Sequence, residues 1–354
     1  MSEVTLRTRG LEKSFPEVFK LGPVDITVPK GAIYGYIGPN GAGKTTTIDL
    51  IMGMGRNDAG TIDVFGLDHI KDEVAIKKQV GYVSPDLVFN AWGKVKRLIG
   101  FIRSFYPDWD DDYCTELMRR MRIGWDDKIA TLSFGARTKL GLVLALSHRP
   151  ALLLLDEPLA GLDAVSKQEM FTELLDAVQD ENRTVFISSH GLSDIERFTD
   201  HLGILNNGQL MLEGPTAELV ERYRMVDCVF EGGGKQGLFG VAPRLSERAL
   251  AEDEKQGLSQ ASGKQGLSQA SESPSETGLS LFSQASESPS ETGLSLFSRD
   301  LPGARLLNQD GARCRLLVDT TQDAIERLKT LGATNIAASP VTLEELFVAL
   351  LKED

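Results

Sequence analysis

Short apolar runs alternate with stretches of helical periodicity along the first two-thirds of the chain. Ala32–Ile37, Leu152–Leu155 and Thr184–Ile187 are strand-sized apolar runs. Between and around them the spacing predicts helices over Thr45–Met52, Lys96–Tyr106, Asp110–Met121, Thr138–Leu146 and Val165–Val178. Pro107 precedes the helix at Asp110–Met121, and Asp110–Asp112 fall in its first turn, where the helix dipole favours carboxylates. Strands that alternate with helices imply a parallel sheet covered on both faces.

The texture changes after Tyr223. Met225–Glu231 reads as a strand and runs into Gly232, Gly233 and Gly234. From Lys255 to Ser298 the composition is low in complexity. Lys255–Ser262 recurs at Lys264–Ser271, and Ser268–Phe282 recurs word for word at Ser283–Phe297. Such Ser-, Gln-, Glu- and Gly-rich sequence offers too little apolar surface to offset its ordering entropy, so a disordered insert is expected. A folded pattern returns after Leu301, with a strand over Cys314–Val318 and helices over Gln322–Leu331 and Leu343–Leu351. The simplest arrangement is a small α+β domain spanning 225–354, with the insert at about 234–300 looped out between its strands.

Composition narrows the function classes. The 354 residues are 41% hydrophobic and 25% charged, a globular balance long enough for two domains. Against 38 Lys and Arg stand 51 Asp and Glu, a net charge of −13, which argues against general nucleic-acid binding. No apolar run approaches the roughly 18 residues of a membrane span. Met1–Val4 lacks the basic-then-apolar pattern of a signal peptide. Cys114, Cys228 and Cys314 lie too far apart in sequence for a zinc knuckle or a disulfide framework, and read as reduced structural residues.

The chemistry concentrates in three motifs. Gly38, Pro39, Asn40, Gly41, Ala42, Gly43, Lys44, Thr45 and Thr46 form a phosphate-binding loop between a strand and a helix. Backbone amides cradle phosphates there, and the helix dipole adds to the attraction. Lys44 reaches the β- and γ-phosphates, and the Thr45 hydroxyl suits Mg²⁺. Leu152–Leu155 then ends in Asp156 and Glu157: the first carboxylate suits Mg²⁺ and the second an attacking water. Leu132–Ala136 precedes that strand, with Ser133 and Gly135 opening a helix whose N-terminus suits a second anion contact.

The order of these motifs, followed by Gly161–Asp163 and then Ser188, Ser189 and His190, resembles ATP-binding-cassette (ABC) ATPases over about residues 3–222. The resemblance implies a P-loop α/β fold with a helical subdomain and a head-to-tail dimer holding two ATP molecules. Each phosphate loop would be closed by Ser133 and Gly135 of the partner subunit. It also implies Glu157 as catalytic base, His190 as the γ-phosphate switch, Asp163 as a link between the two sites and Phe15 as the aromatic beside adenine. Two positions depart from the pattern. Phe134 and Ala136 stand where many relatives have Gly and Gln, and Val83 is followed by Ser84 and Pro85 where relatives carry Pro and then Gln or Glu, so that no Gln occupies the slot and Asp86 comes one residue later. Asp86 is the best surrogate there as a Mg²⁺ or water ligand. The tail, Val341–Leu351, resembles the last helix of ABC-2-type exporter subunits.

The expectation is therefore an ABC ATPase domain over 1–224 and a small C-terminal domain over 225–354. The chain would hydrolyse ATP with Mg²⁺ as a subunit of a bacterial ABC-2-type exporter. Its partners would be a second copy, as a homodimer, and a separate membrane permease. It would bind no nucleic acid and lie on the cytoplasmic face of the cell membrane. The rival reading is a soluble ABC ATPase acting on DNA or ribosomes. It lacks the long coiled coils, zinc cysteines or second cassette such proteins carry.

Overall fold

The computed structural model describes residues 4–85, 89–181, 183–230 and 301–351. The repeats and Asp86 lie outside the described residues. The chain opens with strands β1 (Val4–Phe15), β2 (Phe19–Pro29) and β3 (Ile33–Ile37), then helix α1 (Lys44–Ile51). Strands β4 (Ala59–Val64) and β5 (Leu67–Asp68), helix α2 (Glu73–Lys77) and strand β6 (Val80–Val83) follow. Helices α3 (Val95–Arg103), α4 (Asp111–Arg120) and α5 (Phe134–Leu146) form the helical segment. Next come β7 (Leu152–Leu155), α6 (Ala164–Glu181), β8 (Thr184–Ser189), β9 (His201–Asn206), β10 (Gln209–Pro215) and α7 (Thr216–Arg222). The remainder is β11 (Tyr223–Phe230), β12 (Ala304–Asp310), β13 (Arg313–Asp319), α8 (Ala324–Thr330), β14 (Ala333–Pro340) and α9 (Leu343–Leu351).

The central sheet has the order β10-β9-β3-β8-β7-β6. Its strands from β9 to β6 pair in parallel, and β10 closes one edge antiparallel to β9. A second sheet, β2-β1-β4-β5, is antiparallel. The parallel sheet was expected; the antiparallel one was not, because β1, β2 and β4 carry half-buried alternation rather than apolar runs. Their inward residues Leu6, Leu11, Val24, Ile26, Ile62 and Val64 close a core with Tyr34, Tyr36, Leu152, Leu154 and Phe186 from the parallel sheet. Tyr34 stacks on Phe186 at 5.2 Å between ring centres. Leu153, Leu155, Val185 and Ile187 point from the opposite face and are buried too.

Side-chain caps set the starts of α4 and α5. Asp110 caps α4, its carboxylate accepting from the Tyr113 amide at 2.8 Å. Helix α5 opens at Phe134, at the Leu132–Ala136 motif and ahead of the periodic stretch from Thr138, because Ser133 caps it by accepting from the Ala136 amide at 3.1 Å.

Contacts divide the chain into two units, Met1–Arg224 with Pro340–Glu353, and Met225–Ser339. The last helix groups with the first unit rather than with the strands that precede it. The buried face of α9, Leu346, Phe347 and Leu350, accompanies its contact with the turn Leu192–Asp194. The second unit is a four-stranded sheet, β12-β13-β11-β14, whose core joins Val226, Cys228, Phe230, Cys314, Leu316 and Val318 to Ala324 and Leu328 of α8. All three cysteines are buried and unbonded.

His148 gives the fold a pH signature. It is 5% exposed, stacks on Tyr106 and bonds the Val80 carbonyl at 3.3 Å. Burial above all, with Arg183's charge adding to it, pulls its pKa down to about 4. The folded chain therefore keeps His148 neutral while the unfolded chain protonates it below about pH 6.5. Its contribution is complete above that value and is lost as pH falls from about 6.5 to about 4, roughly 3 kcal/mol over the whole window. Urea denaturation at pH 7.5 and pH 5 should show wild type losing about 2 kcal/mol more than His148→Phe. Equal losses in the two proteins would assign the acid sensitivity to other groups.

Candidate nucleotide-binding site

Parallel pairing aligns the carboxyl ends of three strands. Ile37 of β3 pairs with Ser189 of β8, and Leu155 of β7 pairs with Ile187 of β8. The phosphate loop, Asp156–Glu157 and Ser188–His190 thus emerge side by side.

The loop is built by close backbone approach. The Gly38 amide donates to the Ser189 carbonyl at 3.2 Å, and the Gly208 amide donates to the Ala42 carbonyl at 3.0 Å. Gly43 has φ of 107°, and a Cβ there would lie 2.8 Å from the Phe19 ring. Only glycine combines that backbone angle with that contact. At Gly38 a Cβ would press on the Leu205 carbonyl oxygen at 2.2 Å. Pro39, Asn40 and Gly41 form the rim, with Asn40 and Gly41 exposed. Lys44 opens α1 and is 5% exposed. Its ammonium donates to the carbonyls of Gly38 at 2.7 Å and Pro39 at 3.0 Å. Thr45 is exposed and Thr46 half-buried, whereas Thr47 turns inward to the Gly43 carbonyl.

Glu157 links the charged groups. Its Oε1 lies 3.1 Å from Lys44 Nζ, and its Oε2 lies 2.7 Å from His190 Nδ1. Its backbone is in the left-handed region, with φ of 45°, which costs a non-glycine residue about 1–3 kcal/mol. Ser188 steadies that turn. Its hydroxyl donates to Asp156 Oδ1 at 2.7 Å and accepts from the Glu157 amide at 2.8 Å. Asp156 itself is 1% exposed.

Ser133 and Gly135 stand at the N-terminus of α5. A Cβ on Gly135 would lie 3.3 Å from Leu162 and 3.7 Å from the Ser166 hydroxyl. Ser166 in turn donates from its hydroxyl to Asp163 Oδ2 at 2.8 Å. Amide donation from Ser166, with its hydroxyl and the Val165 amide, holds the Asp163 carboxyl below its usual range. The helix start and the Asp163 loop thus form one packed corner. Phe134 belongs to it: its ring would touch a Cβ on Gly161 at 3.4 Å.

Phe15 ends β1, is 42% exposed and pairs across the hairpin with Phe19. Lys13 Nζ sits 5.9 Å from the Phe15 ring. The structure brings together Gly38–Thr46, Asp156, Glu157 and His190, and gathers Ser133, Gly135 and Asp163 into the separate corner. Sequence reasoning missed Phe19, which supports Gly43, and the bridging role of Ser188. The second had a legible signal: a hydroxyl at the end of a strand predicted to run parallel to one ending in two carboxylates.

Replacing Ser188 by Ala removes one buried donor from Asp156 and the acceptor of a strained amide. The expected cost is about 1–3 kcal/mol of stability. Turnover should fall about tenfold, the equivalent of roughly 1.4 kcal/mol, with nucleotide binding retained. Thermal denaturation and steady-state ATPase assays check this; wild-type values in both would remove the bridge from the site.

The sequence pattern of the ABC transporter family matches residues 21–160. The chain is 35% identical over 226 residues to the ABC transporter ATP-binding protein YtrB of Bacillus subtilis, covering 64% of this chain and 77% of that protein. It is 33% identical to the bacitracin transport ATP-binding protein BcrA of Bacillus licheniformis, over 62% of this chain and 72% of that one. Among solved structures, the ADP conformation of MJ1267, an ATP-binding cassette of an ABC transporter, aligns with a TM-score of 0.52 at 28% identity. That alignment covers 60% of this chain and 92% of MJ1267. An ATP-binding subunit of an ABC transporter aligns with a TM-score of 0.56 at 24% identity, over 61% of this chain and 92% of that one, a likeness of fold.

Proposed function

The chain belongs to the ATP-binding proteins of ABC transporters, and from that premise we propose that it hydrolyses ATP with Mg²⁺ to drive export of a substrate through a separate membrane permease. The observation that carries the catalytic part is the meeting of Lys44, Glu157 and His190 beside the phosphate loop. Relatives named for bacitracin transport and for daunorubicin/doxorubicin resistance support the exporter reading. Among the described residues no helix is long and apolar enough to cross a membrane. The proposed place of the chain is the cytoplasmic face of the membrane, held there by the permease.

The donors at the site suit Mg²⁺. Asp156 is a buried carboxylate and Thr45 an exposed hydroxyl, both hard oxygen ligands. Mg²⁺ bound there would neutralise charge on the β- and γ-phosphates. Phosphates enter the cradle of Gly38–Thr46, with the backbone amides and α1 favouring their charge. A γ-phosphate competes with Glu157 for the Lys44 ammonium, which leaves Glu157 to orient the attacking water. His190 holds the far side of that carboxylate and reaches toward the γ-phosphate. Lys44 and the amide-lined loop stabilise the charge that spreads over the transferred oxygens.

In this reading two copies close head to tail. The Ser133 hydroxyl uses an oxygen lone pair to cap α5, so its proton remains available to a phosphate oxygen across the interface. Gly135 presents backbone alone at the same helix end. Phe15 offers an exposed ring for adenine, and Asp163 couples the signature corner to the opposite site. The domain assignment is 1–224 for the cassette, with α9 returned to it, and 225–339 for the small α+β domain.

Glu157→Gln should retain ATP binding, lose most turnover and accumulate a nucleotide-bound dimer. Nucleotide titration, ATPase assay and gel filtration read the three effects. Turnover at the wild-type rate would end the base assignment. Lys44→Ala should instead weaken nucleotide binding itself.

Gly135→Asp should abolish ATP-driven dimerisation while the monomer still binds nucleotide. A carboxylate set against phosphates costs several kcal/mol, on the order of 4 at an effective dielectric of about 20. Loss of nucleotide binding by the monomer, with dimerisation otherwise intact, would refute the head-to-tail arrangement.

A further inference from the structure

Strand β1 runs past the end of its neighbour β4. The two pair from Leu6 beside Val64 to Glu12 beside Ala59, and the Asp58 amide donates to the Glu12 carbonyl at 2.8 Å. Lys13, Ser14 and Phe15 continue beyond that point paired with Leu21, Lys20 and Phe19 of β2. A strand end held from one side frays unless its remaining backbone groups find partners.

The Asp58 side chain supplies such a partner. Its Oδ2 accepts from the Ser14 amide at 2.7 Å, where a longer β4 would have offered a carbonyl, and its Oδ1 accepts from Lys13 Nζ at 2.9 Å. The Ser14 amide above all, with Lys13 adding to it, holds the Asp58 carboxyl below its usual range. Asn57 shapes the approach to β4 by donating from Nδ2 to the Ala59 and Gly60 carbonyls at 3.0 and 2.9 Å. Asp58 is exposed, so its ion pair alone counts for little in water. The bond to a backbone amide fixes the strand end, one residue before Phe15.

Phe15 stands directly opposite Phe19 across the hairpin, so the two side chains leave the same face. The Phe19 ring lies against Gly43 of the phosphate loop. Strand β2 is tied to that loop as well: the Gly22 amide donates to the Gly208 carbonyl at 2.7 Å, and the Gly208 amide to the Ala42 carbonyl at 3.0 Å. The place of Phe15 relative to the loop is therefore set by two ties, Gly208 behind β2 and Asp58 beside β1.

We infer that Asp58 is the positioning residue for the nucleobase: by holding Ser14 it keeps the Phe15 ring where adenine can stack while the phosphates lie in the loop. The inference rests on the reading of Phe15 as the platform for adenine. Asp58 acts through Phe15 and not on the nucleotide itself. Stacking tolerates any base, so what the tie governs is the placement of the ring.

The test compares ATP with inorganic tripolyphosphate, which carries the phosphates and no base. Each is titrated calorimetrically into the full chain with Mg²⁺. Asp58→Ala should weaken ATP binding about tenfold and leave tripolyphosphate binding within about twofold. Asp58→Asn keeps an oxygen for the Ser14 amide and should recover most of the loss. Phe15→Ala should weaken ATP binding and not tripolyphosphate binding, and Asp58→Ala added to it should cost nothing more. Circular dichroism confirms that the variants fold, and Asp58→Asn carries the comparison should Asp58→Ala unfold. Equal losses for ATP and tripolyphosphate in Asp58→Ala would overturn the inference, as would a further loss of about tenfold in the Phe15→Ala background. Wild-type ATP affinity in Asp58→Ala, with Phe15→Ala weakened, would remove Asp58 alone. Wild-type ATP affinity in Phe15→Ala would overturn the platform itself, and the role of Asp58 with it.

Discussion

Everything at the candidate nucleotide site depends on the parallel register of β3, β8 and β7. Ile37 beside Ser189, and Leu155 beside Ile187, bring three strand ends to one level. A slip of one residue in β8 would turn Ser188 out of the plane that joins Asp156 to the Glu157 amide. The register is held from both faces, since Tyr34 and Phe186 stack on one side while Val185 and Ile187 are buried on the other. A sheet buried twice over has no cheap way to shift, so the strain at Glu157 is carried by a frame much stiffer than itself.

Within that frame the electrostatics are economical. Lys44 is almost wholly buried, and burying an ammonium costs free energy unless its donors are met. Two loop carbonyls and Glu157 meet them. The same Glu157 meets His190 with its other oxygen. One carboxylate therefore stands between a group suited to bind phosphate and a group suited to sense it. Ser188 joins the Asp156 carboxylate to the Glu157 amide, so a change in the position of Asp156 reaches the Glu157 backbone through one oxygen atom. The small number of atoms involved explains why substitutions here should separate binding from turnover.

The legibility of this site in the sequence followed chain locality. Gly38–Thr46 and Asp156–Glu157 are contiguous motifs whose chemistry is written in consecutive residues. The partners that steady them are not contiguous. Phe19 reaches Gly43 across a hairpin whose strands alternate weakly, and β1, β2 and β4 escaped detection for the same reason: antiparallel strands with one solvated face lack an apolar run. Helix α9 has an unmistakable amphipathic pattern, yet nothing local says which unit it packs against. That choice is made by Leu346, Phe347 and Leu350 together with the turn Leu192–Asp194.

The turn that α9 meets adjoins the segment that carries His190. Leu192 follows His190 by two residues, and Leu192 and Ile195 are buried at 4% and 0% exposure. The Ser189 hydroxyl and Gly191 backbone bond each other between them, at 2.9 and 3.1 Å, which stiffens the short link. A helix that presses on Leu192–Asp194 thus lies against the base of the His190 segment. The chain reaches α9 directly from β14, the last strand of the small unit. The link that carries His190 is thus fixed at one end by β8 and bounded at the other by α9.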